Sequence, residues 1–441
     1  MIERSFWSKE RAALKALDAV ALKRGSDKPW DAPRRGAAMT MQLQPTAAAA
    51  DAPCDPSRPV PRVVLEARLR SLQAWMVEQG LQALVVFGHG SALAMATRSH
   101  GNLRYLLDWD AEYAQSVLVL PAQGAPTLAI GNVFSVMRAR EQVWISDVRF
   151  GKGPGLAKEV LALLPSGANR VGLVGREEIP MAVWDGLAAA GASGWIDCSP
   201  ELARRRAIKD AVEIAYHREA GRICDEIFER LGPALRAGKA VFQIQAELEH
   251  HARSRGCELC KTWLTVAPIP DRCRYTRDEN YHVPQEGDQV LLGIMLILHG
   301  HWGHAIRTGA IGRSNPDAER IFARVTAMHT AMFDGLRPNA EISTVGNAGV
   351  VPAEEGVFQF RSGHALGHSY EDPAGTSEFP QPYEAGQVTG RPALVQAGML
   401  FELHPNLFIR DVGAASIGDM VLVTEQGADY LTTFPRHLLI F

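Results

Sequence analysis

Histidines recur in three short segments in the second half of this 441-residue chain, two of them with a glutamate nearby. Val290 to Thr308 reads VLLGIMLILHGHWGHAIRT and carries His299, His301 and His304. Gly363-His364-Ala365-Leu366-Gly367 is followed by His368 and Glu371, and Gly398 to Pro405, GMLFELHP, carries Glu402 and His404. Imidazoles and carboxylates transfer protons near neutral pH and ligate metal ions. Glu402 and His404 lie two positions apart in a run that reads as a strand, so both side chains face one way. Glu402 is therefore a candidate base or additional ligand beside His404. His299 and His301 flank Gly300 at a strand turn, where surface exposure is the simple expectation.

The first segment resembles the VxxDxGxxxxGYxxDxxRT strand pair of the creatinase/prolidase/methionine-aminopeptidase family, whose catalytic domain has the pita-bread fold. Gly300 matches the glycine between the strands and Arg307-Thr308 the closing RT. The second segment is similar to the family's GHGIG and the third to GMxFTIEP. Ile417 to Thr424 is similar to the final IEDTVLVTEDG block. The resemblance implies five ligand positions for two metals, occupied here by Gly293, His304, His364, His404 and Gly418. One metal then loses every side chain specific to it, and the other keeps three imidazoles. The resemblance thus implies a mononuclear site of His304, His364 and His404. It would hold one divalent transition metal, zinc or iron, with an open coordination position. The alternative is a site with no metal, as in creatinase. Three neutral nitrogens could not offset the repulsion between two hard cations. The glycines at 293 and 418 are expected to leave room beside the metal for substrate or water.

The implied function is hydrolysis of a C–N bond in a small polar substrate, an amidine, amide or cyclic imino acid, by an enzyme that is not a general peptidase. A metal-dependent lyase, a non-haem iron oxygenase acting on a small carboxylate, a metal-free creatinase-like hydrolase and a degenerate binding protein are the alternatives. His368 and Glu371 fall on the loop where relatives place a substrate-contacting histidine, and join Glu402 as candidate acids or bases. Arg274 stands where relatives carry HYT; its guanidinium fork suits a substrate carboxylate, and a surface arginine is the bland reading. Arg307 and His301 complete the candidate substrate contacts, although the RT match of Arg307 equally suits a structural role. The resemblance also implies a homodimer, with His100, Arg104 or Tyr105 near the partner's site.

Composition is that of an ordinary globular protein, 46% hydrophobic and 22% charged with net charge −3. No basic tract suggests nucleic acid, and no apolar run suggests a membrane span. Ala37 to Ala52 lacks the apolar core of an export signal, and six cysteines fit a reduced compartment, so a cytoplasmic location is expected. Cys257-Glu258-Leu259-Cys260 has CxxC spacing without a second ligand pair nearby and reads as core. Residues 1–60 read as a partly disordered extension, with a helix candidate at Glu10 to Lys23 and Met39 or Met41 as other possible starts. Residues 61–205 read as the α/β amino-terminal domain of the creatinase/prolidase branch, and 206–441 as the α+β pita-bread catalytic domain. Helices are expected at Val212 to Leu235 and Val241 to Arg255, with a strand from Lys261 before the ligand-bearing segments.

Overall fold

The computed structural model describes residues 58–92, 97–369, 371–372 and 393–441, all within the compact unit Pro45–Phe441. The helix candidate at Glu10 to Lys23 lies outside the described residues. The amino-terminal half is a mixed six-stranded sheet, ordered β4-β3-β2-β1-β5-β6. Its strands are β1 (Ala83–Gly88), β2 (Ser116–Pro121), β3 (Thr127–Ile130), β4 (Asp147–Phe150), β5 (Val171–Val174) and β6 (Ile196–Asp197). Strand β1 is buried on both faces. Leu84 and Val86 pack with Leu72 and Leu106, while Val85 and Phe87 pack with Leu156 and Leu173. A continuous apolar run, instead of alternation, is what a sheet covered on both sides selects.

The helix Ser199–Ala207 runs through the expected boundary at 205 and leads into α1 (Ala211–Leu235). Asp210 and Glu213 start α1 with a reciprocal capping box, each side chain satisfying a backbone N–H of the first turn. Next come β7 (Leu259–Ala267), β8 (Gln289–Leu298) and β9 (His301–Ala310), antiparallel neighbours in one sheet. All ten residues of β8 and all ten of β9 are buried. His299 and Gly300 join them with φ of 46° and 75°. Two positive φ values in succession are what a two-residue type I′ hairpin turn requires. A second sheet pairs Gly363–Ala365 with Leu400–Leu403, and that strand with Asp419–Thr424. The bridge Ile306↔Gly418 ties the two sheets together beside the candidate site.

His100, Arg104 and Tyr105 sit on the helix His100–Leu107, which faces the catalytic half of its own chain. Arg104 pairs with Asp108 and reaches Glu258, its stem packs where a side chain on Gly300 would lie, and Arg68 stacks 4.3 Å over the Tyr105 ring. His100 is buried. These three side chains pack against other residues of their own chain. Among the described residues no helix is long and apolar enough to cross a membrane.

Candidate metal centre

Four side chains from three strands converge. His304 comes from β9, His364 from Gly363–Ala365, Glu402 from Leu400–Leu403 and His404 from just beyond it. His364 lies opposite Glu402 in the strand register. The imidazole centroids are 5.2 Å (His364–His404), 5.4 Å (His304–His364) and 6.0 Å (His304–His404) apart. Glu402 Oε2 lies at the middle, in close contact with His304 Nδ1, 3.1 Å from His364 Nε2 and 3.7 Å from His404 Nε2. His304 Nδ1 and His364 Nε2 are 3.3 Å apart. Ligands about 2.0–2.1 Å from a tetrahedral ion lie about 3.3 Å from one another. His304, His364 and Glu402 fit one ion, with His404 at the edge of the group.

Proton bookkeeping points the same way. His364 Nδ1 donates to the Ala365 carbonyl at 2.9 Å, so its Nε2 presents a lone pair to the Glu402 carboxylate. That carbonyl bond is the outer contact that metal-bound imidazoles usually make. Burial holds the His304 and His364 pKa values down at about 3 and pushes that of His404 well below its usual range. Burial also raises that of Glu402, against the opposing pull of His364. Neither nitrogen of His404 has a protein hydrogen-bond partner. A proton on Glu402 satisfies one of the contacts around it, whereas a divalent cation satisfies them all.

The two glycines do not leave room. Trp263 on β7 is the direct cross-strand partner of Gly293, and its indole occupies the volume where a side chain on Gly293 would begin. A Cβ on Gly418 would lie 2.6 Å from Glu402 Oε1 and 2.8 Å from the Ile306 amide nitrogen. The expectation of empty space is therefore corrected at both positions. An indole closes one, and a carboxylate arriving from two residues before His404 closes the other.

His304 and His404 open onto a cavity of about 310 Å³, also lined by Trp263, Arg272, Phe358, Phe360, Arg361 and Phe408. Glu402, fully buried, does not line it and lies behind the histidines, where it contacts His304 and His364. Arg274 is corrected. It pairs with Asp271 at 2.8 Å and lines a different cleft; Arg272, two residues earlier in an irregular segment, lines the cavity. Arg307 is corrected as a substrate contact. Its guanidinium is buried and spent on the carbonyls of Ile306, Gly418, Phe434 and Pro435 and on Asp419 at 2.8 Å. His301 is fully buried, against the expectation for a hairpin turn, and stacks on Tyr216 at 4.6 Å. His368 is buried as well and meets Glu213 at 3.2 Å, apart from the three histidines. Glu371 bridges Arg98, at 2.8 Å, and Arg361, so it reaches the cavity only through Arg361.

Trp263, Arg272 and Arg361 carry no signal in the sequence that marks them as cavity residues. Only the register of β7 on β8 brings Trp263 over Gly293, and no local spacing signals that pairing. Burial pushes the thiol of Cys273, another lining residue, up to about 12, which removes it as a nucleophile.

Residues 68–208 match the creatinase/prolidase N-terminal domain, and residues 215–425 match metallopeptidase family M24. A putative dipeptidase of Bacillus subtilis, YkvY, is 27% identical over 257 residues, 57% of this chain and 68% of its own length. The probable dipeptidase PepE of Mycobacterium bovis is 25% identical over 352 residues, 77% of this chain and 89% of its own. Dipeptidase PepE from Mycobacterium ulcerans superposes with a TM-score of 0.69 at 22% identity, over 87% of this chain and 99% of that one. The prolidase from Pyrococcus horikoshii does so with a TM-score of 0.68 at 18% identity, over 85% and 100%. With the creatinase/prolidase amino-terminal domain, the pita-bread strands and the ligand-bearing segments in the family's order, this chain belongs to the metallopeptidase M24 family, in its creatinase/prolidase branch.

Proposed function

We propose that this chain is a hydrolase using a single divalent metal, held by His304, His364, His404 and Glu402, to cleave a C–N bond in a small carboxylate-bearing substrate. The observation that carries the reading is the convergence of His304, His364 and Glu402 at ligand spacing with His404 beside them, while the Trp263 indole fills the place of a second metal's carboxylate. A bound ion supplies polarisation of the scissile carbonyl and a more acidic water. The chain's own residues do the rest. Arg272 and Arg361 stand on the cavity wall, where a fork of N–H donors holds a carboxylate in register. Phe358, Phe360 and Phe408 add apolar lining to the same cavity and accept an apolar side group. Glu402 offsets the ion's charge from below. A cavity of about 310 Å³ among the described residues is the size of a dipeptide or smaller molecule, which supports a narrow substrate range.

The test is elemental analysis of purified protein together with turnover of a matched panel: small amidines, N-acyl amino acids and Xaa-Pro dipeptides. One zinc-class ion at the histidine cluster with hydrolysis of a carboxylate-bearing member is the expected result. Hydrolysis of long peptides, or of neutral amides alone, would overturn the substrate reading.

One observation favours a second reading. His304, His364 and Glu402 are a two-histidine, one-carboxylate set, the donors used by non-haem iron oxygenases. Iron in the purified protein with substrate-dependent oxygen uptake selects that chemistry over hydrolysis.

A further inference from the structure

A second group of metal-ligating side chains lies on the other face of β9. His301 and His304 are three positions apart on that strand, so their side chains leave it in opposite directions. His301 meets Glu213 and His368 there, and one donor atom from each lies within 4.8 Å of the other two. All three side chains are buried. The sequence placed His368 with the catalytic histidines and His301 at the surface, and the fold gives neither of those roles.

The three groups are prepared as ligands. His301 Nδ1 donates to the His299 carbonyl at 2.8 Å, which leaves Nε2 as a buried lone pair with no protein partner. His368 Nε2 lies 3.2 Å from Glu213 Oε1, the spacing of two ligands on one tetrahedral ion of about 2.0–2.1 Å bond length. Its Nδ1 is another buried atom without a partner. His217, one turn after Glu213 on α1, adds a fourth imidazole 5.1 Å from His301. Its Nδ1 is fixed by the Trp302 carbonyl at 2.9 Å, and its Nε2 also lacks a partner. The unpartnered Nε2 lone pairs of His301 and His217 beside one carboxylate are costly unless something binds them.

Charge decides the kind of ion. Arg68, Arg206 and Lys209 surround the group, answered by Asp210, Asp372 and Glu213. The cations and carboxylates balance, so affinity must come from imidazole lone pairs and not from excess negative charge. That favours a borderline-soft transition ion and disfavours calcium or magnesium. The group also sits beside the seam of the two halves: Arg206 bonds Asn102 at 2.7 Å, and Arg68 bonds Asp210 at 2.7 Å. We propose that Glu213, His301 and His368 form a second metal site for a zinc-class ion, structural in role, that ties the start of α1, β9 and the segment after Gly363–Ala365 together within the catalytic half, beside its seam with the amino-terminal domain.

The test uses the full chain with the catalytic cluster disabled by His364→Ala and His404→Ala, stripped with chelator, loaded with zinc and desalted. One zinc per chain should remain, and it should raise the melting temperature by several degrees. Adding His301→Phe, which keeps a ring against Tyr216, should abolish both the zinc and the shift. No zinc in the doubly substituted chain, or zinc unaffected by His301→Phe, overturns the proposal. Should the doubly substituted chain not fold, zinc-edge anomalous diffraction from zinc-loaded wild-type crystals decides. A peak between Glu213, His301 and His368 supports the site, and none there rejects it. Failure of the catalytic reading looks different: the His364→Ala, His404→Ala chain would then hold as much zinc as the wild type.

Discussion

Trp263 and Gly293 face each other across adjacent antiparallel strands, and the indole fills the volume that any side chain on Gly293 would need. The glycine is therefore part of a packed pair. Restoring an aspartate there by Gly293→Asp should cost about 1–3 kcal/mol from overpacking alone. Combining it with Trp263→Ala should recover part of that loss and add metal-binding capacity beside the histidines. Denaturant unfolding and elemental analysis check both. A Gly293→Asp chain as stable as the wild type would show that the indole does not hold that space.

Gly418→Glu should compete with Glu402 instead of adding a ligand, because a Cβ there already meets Glu402 Oε1 at 2.6 Å. The single variant should bind zinc at least ~10-fold more weakly, the scale on which disturbed ligand support lowers metal affinity. Gly418→Glu with Glu402→Ala should bind more tightly than either change alone. Chelator competition reads the difference, and simple additivity would mean that the two carboxylates do not share one place.

Metal removal should be visible in stability. Without an ion the Glu402 carboxylate confronts imidazole lone pairs. Zinc at a hundredfold excess over its dissociation constant should add ~2.7 kcal/mol to the unfolding free energy. Calorimetry with and without chelator measures this, and His404→Ala should shrink the gain.

Arg361→Ala should raise KM for carboxylate-bearing substrates by at least ~10-fold with a much smaller change in kcat, since a lost charge-assisted hydrogen bond is worth roughly 1.5–3 kcal/mol. A neutral ester or amide of the same substrate should be unaffected. Equal losses on both would assign Arg361 to architecture.

Acid stability should depend on Asp419. Burial opposes its ionisation, but Arg307, His329 and Arg436 hold its pKa below the usual 3.8. A carboxylate whose folded pKa is depressed contributes stability that is complete above the unfolded value and is lost as pH falls below it. Asp419→Asn, which strands the buried Arg307, should cost ~3–5 kcal/mol at neutral pH. Its deficit against the wild type should narrow only below about pH 3.8. A deficit that stays constant down to pH 2 would mean that Asp419 contributes no linked ionisation.

Much of this architecture is written locally. The unbroken apolar run of β8, the paired positive-φ positions at His299-Gly300 and the capping box at Asp210 each follow from nearest-neighbour chemistry. The two-residue spacing of Glu402 and His404 likewise puts Glu402 beside the histidines. Side-chain direction off the regular strands is not legible in the same way. Arg274 and Arg272 differ by two residues in an irregular segment, where no strand periodicity says which of them meets the cavity.

The sequence by itself determined the family, the order of elements and the histidines available for ligation, because those depend on spacing along one chain. Only the tertiary structure decided what fills the vacated positions. Trp263 reaches Gly293 through cross-strand register, and Glu402 reaches the space of Gly418 through the pairing of separate strands. It also sorted His301 and His368 away from His304 and His364, because a strand sends residues three apart to opposite faces and a buried helix end supplied Glu213 on one of them. Contacts between segments so far apart in sequence, Trp263 with Gly293 or Glu213 with His368, carry no local signature.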